Sequence, residues 1–323
     1  MPRNPKLLIH GKIYEICFRT EEGLPFASTP YIKAIWESIL ARAQSLYRVR
    51  IVAGILMSNH PHLLIRVEDP EDVPKFVAYV KKETAHALNR LLGVEQHTVW
   101  QEGYDSPLLG DAEKVVERLV YCYTNPQKAN LEDTIEKYPG WSTWSEFLKG
   151  GGVKEIPRIA RKDIPRLPGR TLSLGEQEQL AEELLGKSKE KFKLVIEPDL
   201  WKECFPELEN AKSSELREMV VERVRESEAG YRGARQRGVV GAANLVMETI
   251  RKPHTPKKRG KRMLCMFSDI ELRRGYISWY REVIRELLDL IAEAGTHLVK
   301  RPPGLFSPGG GLSSNLNPEY VPV

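Results

Sequence analysis

The 323-residue chain has only four cysteines, Cys17, Cys122, Cys204 and Cys265, which lie far apart and form no CxxC pair. Their spacing excludes a zinc knuckle and a disulfide framework and leaves reduced thiols packed as small apolar side chains. No apolar run approaches the roughly 18–20 residues that a membrane span needs. The opening MPRNPKLLIHGKIYE is too short in apolar residues for a secretory signal. A cytoplasmic protein with no membrane partner is therefore expected. No repeat at a solenoid period is present either.

A strong overall charge is also missing: 49 basic and 44 acidic residues leave a net +5. The distribution says more than the sum. Residues 1–150 hold 18 basic and 19 acidic residues, and residues 151–323 hold 31 and 25, so the positive excess lies in the second half. Its densest stretch, RKPHTPKKRGKR at 251–262, carries seven Lys and Arg and no acid. Such a run can neutralise phosphates, or it can be a solvated linker.

The first half alternates between two periodicities. KIYEICFR (12–19) places Ile13, Glu15, Cys17 and Arg19 on one side and Tyr14, Ile16 and Phe18 on the other, a strand. TPYIKAIWESILARAQS (29–45) opens on a Thr-Pro start and spaces its apolar residues as a helix does. YRVRIVAGILM (47–57) and HPHLLIRVE (60–68) flank Ser58-Asn59 and read as a hairpin. A helix over 69–93 stopped by Gly93, a short strand in SPLLG (106–110), and a helix capped by Asp111 that must end or kink near Pro126 complete the order β α β β α β α.

That order predicts an α+β fold with a ferredoxin-like split βαβ domain, an antiparallel sheet carrying helices on one face and leaving the other free for a site. Four regions follow: a catalytic domain over 1–148, a Gly/Pro/basic linker over 149–172, a mainly helical basic region over 173–298, and a Pro/Gly-rich tail over 299–323 that is either disordered or an extended arm. Within the third region helices are expected at 174–186, 213–229, 239–250 and 268–294.

The chemistry concentrates in MSNHPHLLIRV, 57–67. Residues two apart on a strand share a face, so His60 and His62 present their imidazoles together and could share one divalent ion, although His-x-His also arises by chance. Pro61 lacks a ladder donor and fits a strand start or an unpaired position. Sixty residues on, in YCYTNPQKANLED (121–133), Tyr121 and Asn125 lie four apart on one helix face. One offers a phenol nucleophile and the other an amide oxygen. Each feature alone also fits ordinary packing.

Taken together, Met57-Ser-Asn-His60-Pro-His62-Leu-Leu, Asn89-Arg90, Val99-Trp100-Gln101 with Ser106, and Tyr121-x-x-x-Asn125-Pro126-x-x-Ala129-x-Leu131 resemble the REP-associated tyrosine transposases, single-tyrosine HUH enzymes that process single-stranded DNA. The resemblance spans about residues 8–145. It implies that His60, His62 and Asn125 bind Mg²⁺ or Mn²⁺ and that Tyr121 attacks the scissile phosphate to form a 5′-phosphotyrosine link. It also implies single-stranded or hairpin DNA as the partner of a monomer or homodimer. The chain departs from the family in having Pro61 where a larger apolar residue is usual, and in the near-neutral charge of the catalytic half.

Tyr123 and Gln127 are also four apart and form an alternative pair, with Tyr123 as the alternative nucleophile. Trp100, Gln101 and Tyr104 fit base stacking or core packing, and Arg66 fits a phosphate contact or an exposed arginine. His86 and His97 read as structural or solvent-facing. Residues 226–262 could form a helix-turn-helix-like piece with a basic arm, in which Lys257, Lys258, Arg259, Lys261 and Arg262 contact DNA, or a plain helical hairpin. The activity implied is a metal-dependent DNA endonuclease and strand transferase. The alternative is a non-catalytic binder of repeated palindromic DNA. A metallohydrolase is disfavoured because the further Asp and His ligands of such sites are missing after His62.

Overall fold

A computed structural model describes residues 6–95, 97–255 and 263–298, without the side chains of 294–298. In chain order the elements are β1 (Ile13–Cys17), α1 (Pro30–Leu46), β2 (Val49–Met57), β3 (His60–Val67), α2 (Asp72–Leu92), β4 (Leu108–Leu109), α3 (Ala112–Lys128), α4 (Trp144–Lys149), β5 (Gly152–Pro157), α5 (Leu174–Gly186), β6 (Lys191–Ile196), α6 (Ser213–Ala234), α7 (Ala242–Val246), β7 (Cys265–Met266) and α8 (Ile270–Leu298). Among the described residues the strands form one sheet in the order β5-β6-β2-β3-β1-β4-β7. The α+β class and the βαββαβα order of the first half are as expected.

The sheet differs from the expectation in two respects. It is mixed: β6 joins β2 and β7 joins β4 in parallel, and all other pairs are antiparallel. Helices also cover both faces. The face bearing Tyr14, Ile16, Ile51, Leu63 and Ile65 packs on α1, α2 and α5. The face bearing Ile13, Val52, Ile55 and Leu64 packs on α3, α4 and α6 through Leu119, Tyr123, Phe147, Val220 and Val224. The alternation of β1 alone could not reveal this second layer, because Ile13 and Cys17 are apolar enough to be buried while Glu15 between them reads as exposed.

Residues 149–172, read as a linker, contain β5, which runs antiparallel to β6 from Gly152↔Ile196 to Pro157↔Lys191. The Gly150 and Gly151 turn that suggested a linker is the helix stop before this strand, with φ of 77° and 134°. Of the helices expected beyond it, α5, α6 and α8 form, whereas 239–250 shortens to the five residues of α7. Over 226–250 the chain forms only the end of α6, which packs on α3, and the five-residue α7, which is too short for a recognition helix.

Two local features position the site. Met57 pairs with His60 across the two-residue turn, so β3 begins at His60 itself. Pro61 faces Leu56, whose N–H is donated to the Trp141 carbonyl and not to β3. The β1 register ends at Cys17↔His62, one step before Pro61 would have to donate. The missing N–H therefore falls just beyond the paired register, and the Thr20 N–H donated to the Asn59 carbonyl at 2.9 Å holds the two segments together past it.

The second feature is the end of α3. The helix runs through Pro126 to Lys128 instead of breaking there. The Leu131 N–H is donated to the Pro126 carbonyl and the Asn130 N–H to Gln127, with Asn130 left-handed at φ 56°. This is a Schellman closure, in which asparagine takes the place usual for glycine. Asp111 caps the other end by accepting from the Lys114 N–H at 2.8 Å.

Candidate active site

The site forms where the start of β3 meets α3 across β1. His60 and His62 project from the same face of β3, with ring centroids 4.9 Å apart, and the His62 ring stands edge-on to Tyr121 at 5.4 Å. Two strand residues at spacing two and one helical residue thus converge, as the sequence led one to expect. His62 is buried and His60 and Tyr121 are half-buried, so the centre opens to solvent at one side.

Each histidine is oriented by a partner on Nδ1. The His60 Nδ1 lies 2.6 Å from Asn59 Oδ1 and the His62 Nδ1 lies 2.6 Å from Glu15 Oε1. Both partners are oxygen acceptors, so Nδ1 donates in each ring and Nε2 is the nitrogen left over. Burial, followed by the His62 and Arg19 charges, pushes the His60 pKa well below its usual value and keeps that imidazole neutral. Burial opposes ionisation of Glu15, but the hydrogen bonds and charges of His62 and Arg118 outweigh it and hold the carboxyl at about 2.

Arg118, one turn before Tyr121 on α3, donates Nε to Glu15 Oε2 at 2.8 Å and Nη2 to Oε1 at 2.6 Å. Its guanidinium carbon lies 3.9 Å from the centre of the Tyr121 ring, and the Lys128 ammonium lies 4.9 Å from the same ring. Desolvation raises the Tyr121 pKa above 10 and Arg118 offsets only part of the rise, so the phenol is protonated at neutral pH. Sequence reading missed Glu15, Arg118 and Lys128. The available signals were a lone acid on an otherwise buried strand face and an arginine at i−3 from the tyrosine.

The donor set fits a divalent cation. The buried His62 Nε2 and the buried Asn125 amide nitrogen have no hydrogen-bond partner among the described residues. Asn125 lies one helical turn from Tyr121, and its amide can present either end after a half-turn. Among the described residues no three His, Cys, Asp or Glu side chains form a metal cluster. Any ion held here therefore takes its remaining ligands from amide, phosphate or water oxygens, the donors that Mg²⁺ and Mn²⁺ accept alongside imidazole.

Other expected residues lie elsewhere. Tyr123 is fully buried against Trp144 and Phe147, with its hydroxyl 3.0 Å from Thr143 Oγ1, and Gln127 donates to Glu228 inside the α3–α6 packing. They point away from the histidines because two residues along a helix turn the side chain by about 200°. Trp100 is core: it stacks on Phe26 and donates to Thr84 Oγ1 at 2.9 Å on the opposite face of the sheet. Gln101 acts through its backbone, donating to Arg19 and accepting from Lys81. Tyr104 is buried under Lys6.

Arg66 shares the face of His62 but sits two pairs further along, roughly 13 Å away by strand rise. It is paired with Glu68 at 2.8 Å and Glu203 at 3.6 Å. His86 and His97 lie apart from the site, His97 beside Glu22. Asn89 and Arg90 serve as ties, donating to the carbonyls of His97 and Ile164. Lys257, Lys258, Arg259, Lys261, Arg262 and the tail at 299–323 lie outside the described residues. Arg251 and Lys252, at the start of the basic run, donate to the Leu167 and Pro168 carbonyls and to Glu248.

Comparison with known proteins finds a family match within the first half of the chain. Residues 11–121 match the family described as "Transposase IS200 like", a span that includes both histidines and ends on Tyr121. No curated protein matches the chain. Among solved structures, a REP-associated tyrosine transposase bound to a REP hairpin is similar at 16% identity with a TM-score of 0.40, over 46% of this chain and 86% of that one. No described helix is long and apolar enough to cross a membrane.

Proposed function

We propose, from the match of residues 11–121 to the IS200-like transposase family, that the protein cleaves and rejoins single-stranded DNA near hairpin or palindromic sequences. Tyr121 is the nucleophile, and His60, His62 and Asn125 hold a divalent cation. The observation that carries this reading is the pairing of an unpartnered His62 Nε2 with the Tyr121 ring 5.4 Å away. When bound, Mg²⁺ or Mn²⁺ would polarise the scissile phosphate.

The chain's own groups supply the rest. Tyr121 Oη attacks phosphorus, an Oη–P bond forms and the P–O3′ bond breaks. The phenol gives up its proton and the departing oxygen leaves as a 3′-hydroxyl, so the proton count is unchanged. The phosphodiester is conserved as a 5′-phosphotyrosine, and attack by a 3′-hydroxyl reverses the step without an external energy source. Arg118 and Lys128 set positive charge against the Tyr121 ring, which favours approach of the anionic phosphate, and Arg118 eases loss of the phenol proton.

Incubating labelled hairpin oligonucleotides with the protein and Mn²⁺ tests the assignment. The covalent adduct is expected with wild type and with Tyr123→Phe, and is expected to be lost in Tyr121→Phe and reduced at least 100-fold, on the order expected for removing a catalytic metal ligand, in His62→Ala. An adduct that survives Tyr121→Phe overturns the nucleophile. Tight hairpin binding with no adduct from any substrate points to a non-catalytic DNA-binding protein instead.

A further inference from the structure

Glu15 and Arg118 belong to none of the motifs that led to the site, yet together they touch both halves of it. Glu15 is 3% exposed, and one of its oxygens accepts from His62 Nδ1 and from Arg118 Nη2, both at 2.6 Å. Its other oxygen accepts from Arg118 Nε at 2.8 Å, so the guanidinium is held in a two-point fork. The same guanidinium lies against the Tyr121 ring at 3.9 Å. One carboxylate on β1 thus reaches the imidazole on β3 and, through one arginine, the phenol on α3.

Each contact restricts a particular freedom. An imidazole can carry its proton on either nitrogen, and a fixed carboxylate at Nδ1 leaves the Nε2 lone pair facing outward. A half-buried tyrosine on a helix can adopt more than one rotamer, and a guanidinium anchored at two points against its ring removes that choice. Lysine could not replace Arg118, because it offers neither the fork nor the flat face.

We propose that Glu15 and Arg118 are positioning residues that fix the His62 tautomer and the Tyr121 ring as one unit. This inference rests on the function proposed above, and its experiment separates the two. Mn²⁺ is titrated into the full-length, DNA-free protein and free ion is followed by electron paramagnetic resonance. In parallel, the His62 tautomer of the metal-free protein is read from ¹⁵N chemical shifts.

Wild type is expected to show the Nδ1–H form. Glu15→Gln, whose amide can either accept from Nδ1–H or donate to a bare Nδ1, is expected to show mixed tautomers and Mn²⁺ affinity weakened roughly 10–100-fold. Arg118→Lys is expected to keep Mn²⁺ affinity within about threefold while slowing adduct formation at saturating Mn²⁺ by roughly 100-fold, as misplacement of a reacting group does.

If Glu15→Gln does not fold with Arg118 unneutralised, the charge-balanced pair Glu15→Gln/Arg118→Gln carries the test, with the same tautomer mixture and affinity loss expected. Wild-type affinity and tautomer in either folded Glu15 variant, with affinity lost in His62→Ala, overturns the positioning role and leaves the proposed function standing. Unchanged affinity in His62→Ala overturns both.

Discussion

Tyr121 and Tyr123 stand two residues apart on one helix, and their surroundings separate them completely. The Tyr123 hydroxyl is sealed against Thr143 beneath Trp144 and Phe147, whereas the Tyr121 ring meets His62, Arg118 and Lys128 at the rim of the site. His60 contributes a pH dependence of its own. Burial lowers its pKa well below 6.5 in the native protein, so below that pH the unfolded chain binds a proton that the native one does not. The stabilisation is complete above the unfolded pKa and is lost as pH falls from about 6.5 toward the folded value. In metal-free protein with chelator, urea unfolding between pH 6.5 and 5 should show a shallower fall in stability for His60→Gln than for wild type. The difference should be at most about 1.4 kcal/mol per pH unit, the value for one proton.

At the scale of elements, the end of α3 decides where Asn125 sits. The Schellman closure uses the carbonyls of Pro126 and Gln127 and requires Asn130 in the left-handed region, where it also accepts from Arg235 Nε at 2.9 Å. Asn130→Val should cost about 1–2 kcal/mol, because a β-branched side chain meets the following carbonyl there. Asn130→Gly should cost less, since only the Arg235 bond is lost. Urea denaturation monitored by circular dichroism distinguishes the two. Pro126 illustrates how far local rules reach: a proline three residues from a helix end removes only the donor to the Cys122 carbonyl, so the helix finishes its last turn around it. The hairpin, α1, α2 and the Asp111 cap were legible because their signals are local. Strand β5 was not, because its glycines and proline mimic a linker and its pairing partner, β6, comes more than 30 residues later.

For the molecule as a whole, the second half of the chain completes the sheet of the first. Ile196 pairs with Ile51 and Cys265 with Leu108, and Trp201, Val220 and Val224 are buried in the layer that also holds α3. A fragment ending at residue 148 would bare the outer edge of β2 and the apolar back of α3. It is expected to bind a hydrophobic dye and to melt more broadly and at lower temperature than the full chain. A fragment that melts sharply and keeps the His62–Tyr121 contact by nuclear magnetic resonance would show that the second half adds no support to the site.

The sequence by itself determined which side chains share a face: two imidazoles on one strand face, and a phenol and an amide on one helix face, follow from periods of two and 3.6 residues that no tertiary contact alters. It could not decide what surrounds them. Tertiary structure alone laid α3 over the β1 face that bears Glu15, buried Trp100 on the opposite face and paired Arg66 with Glu68 and Glu203. The same packing turned an apparent linker into a strand. Those outcomes depend on contacts between residues tens to more than a hundred positions apart, where burial and charge pairing override any local pattern.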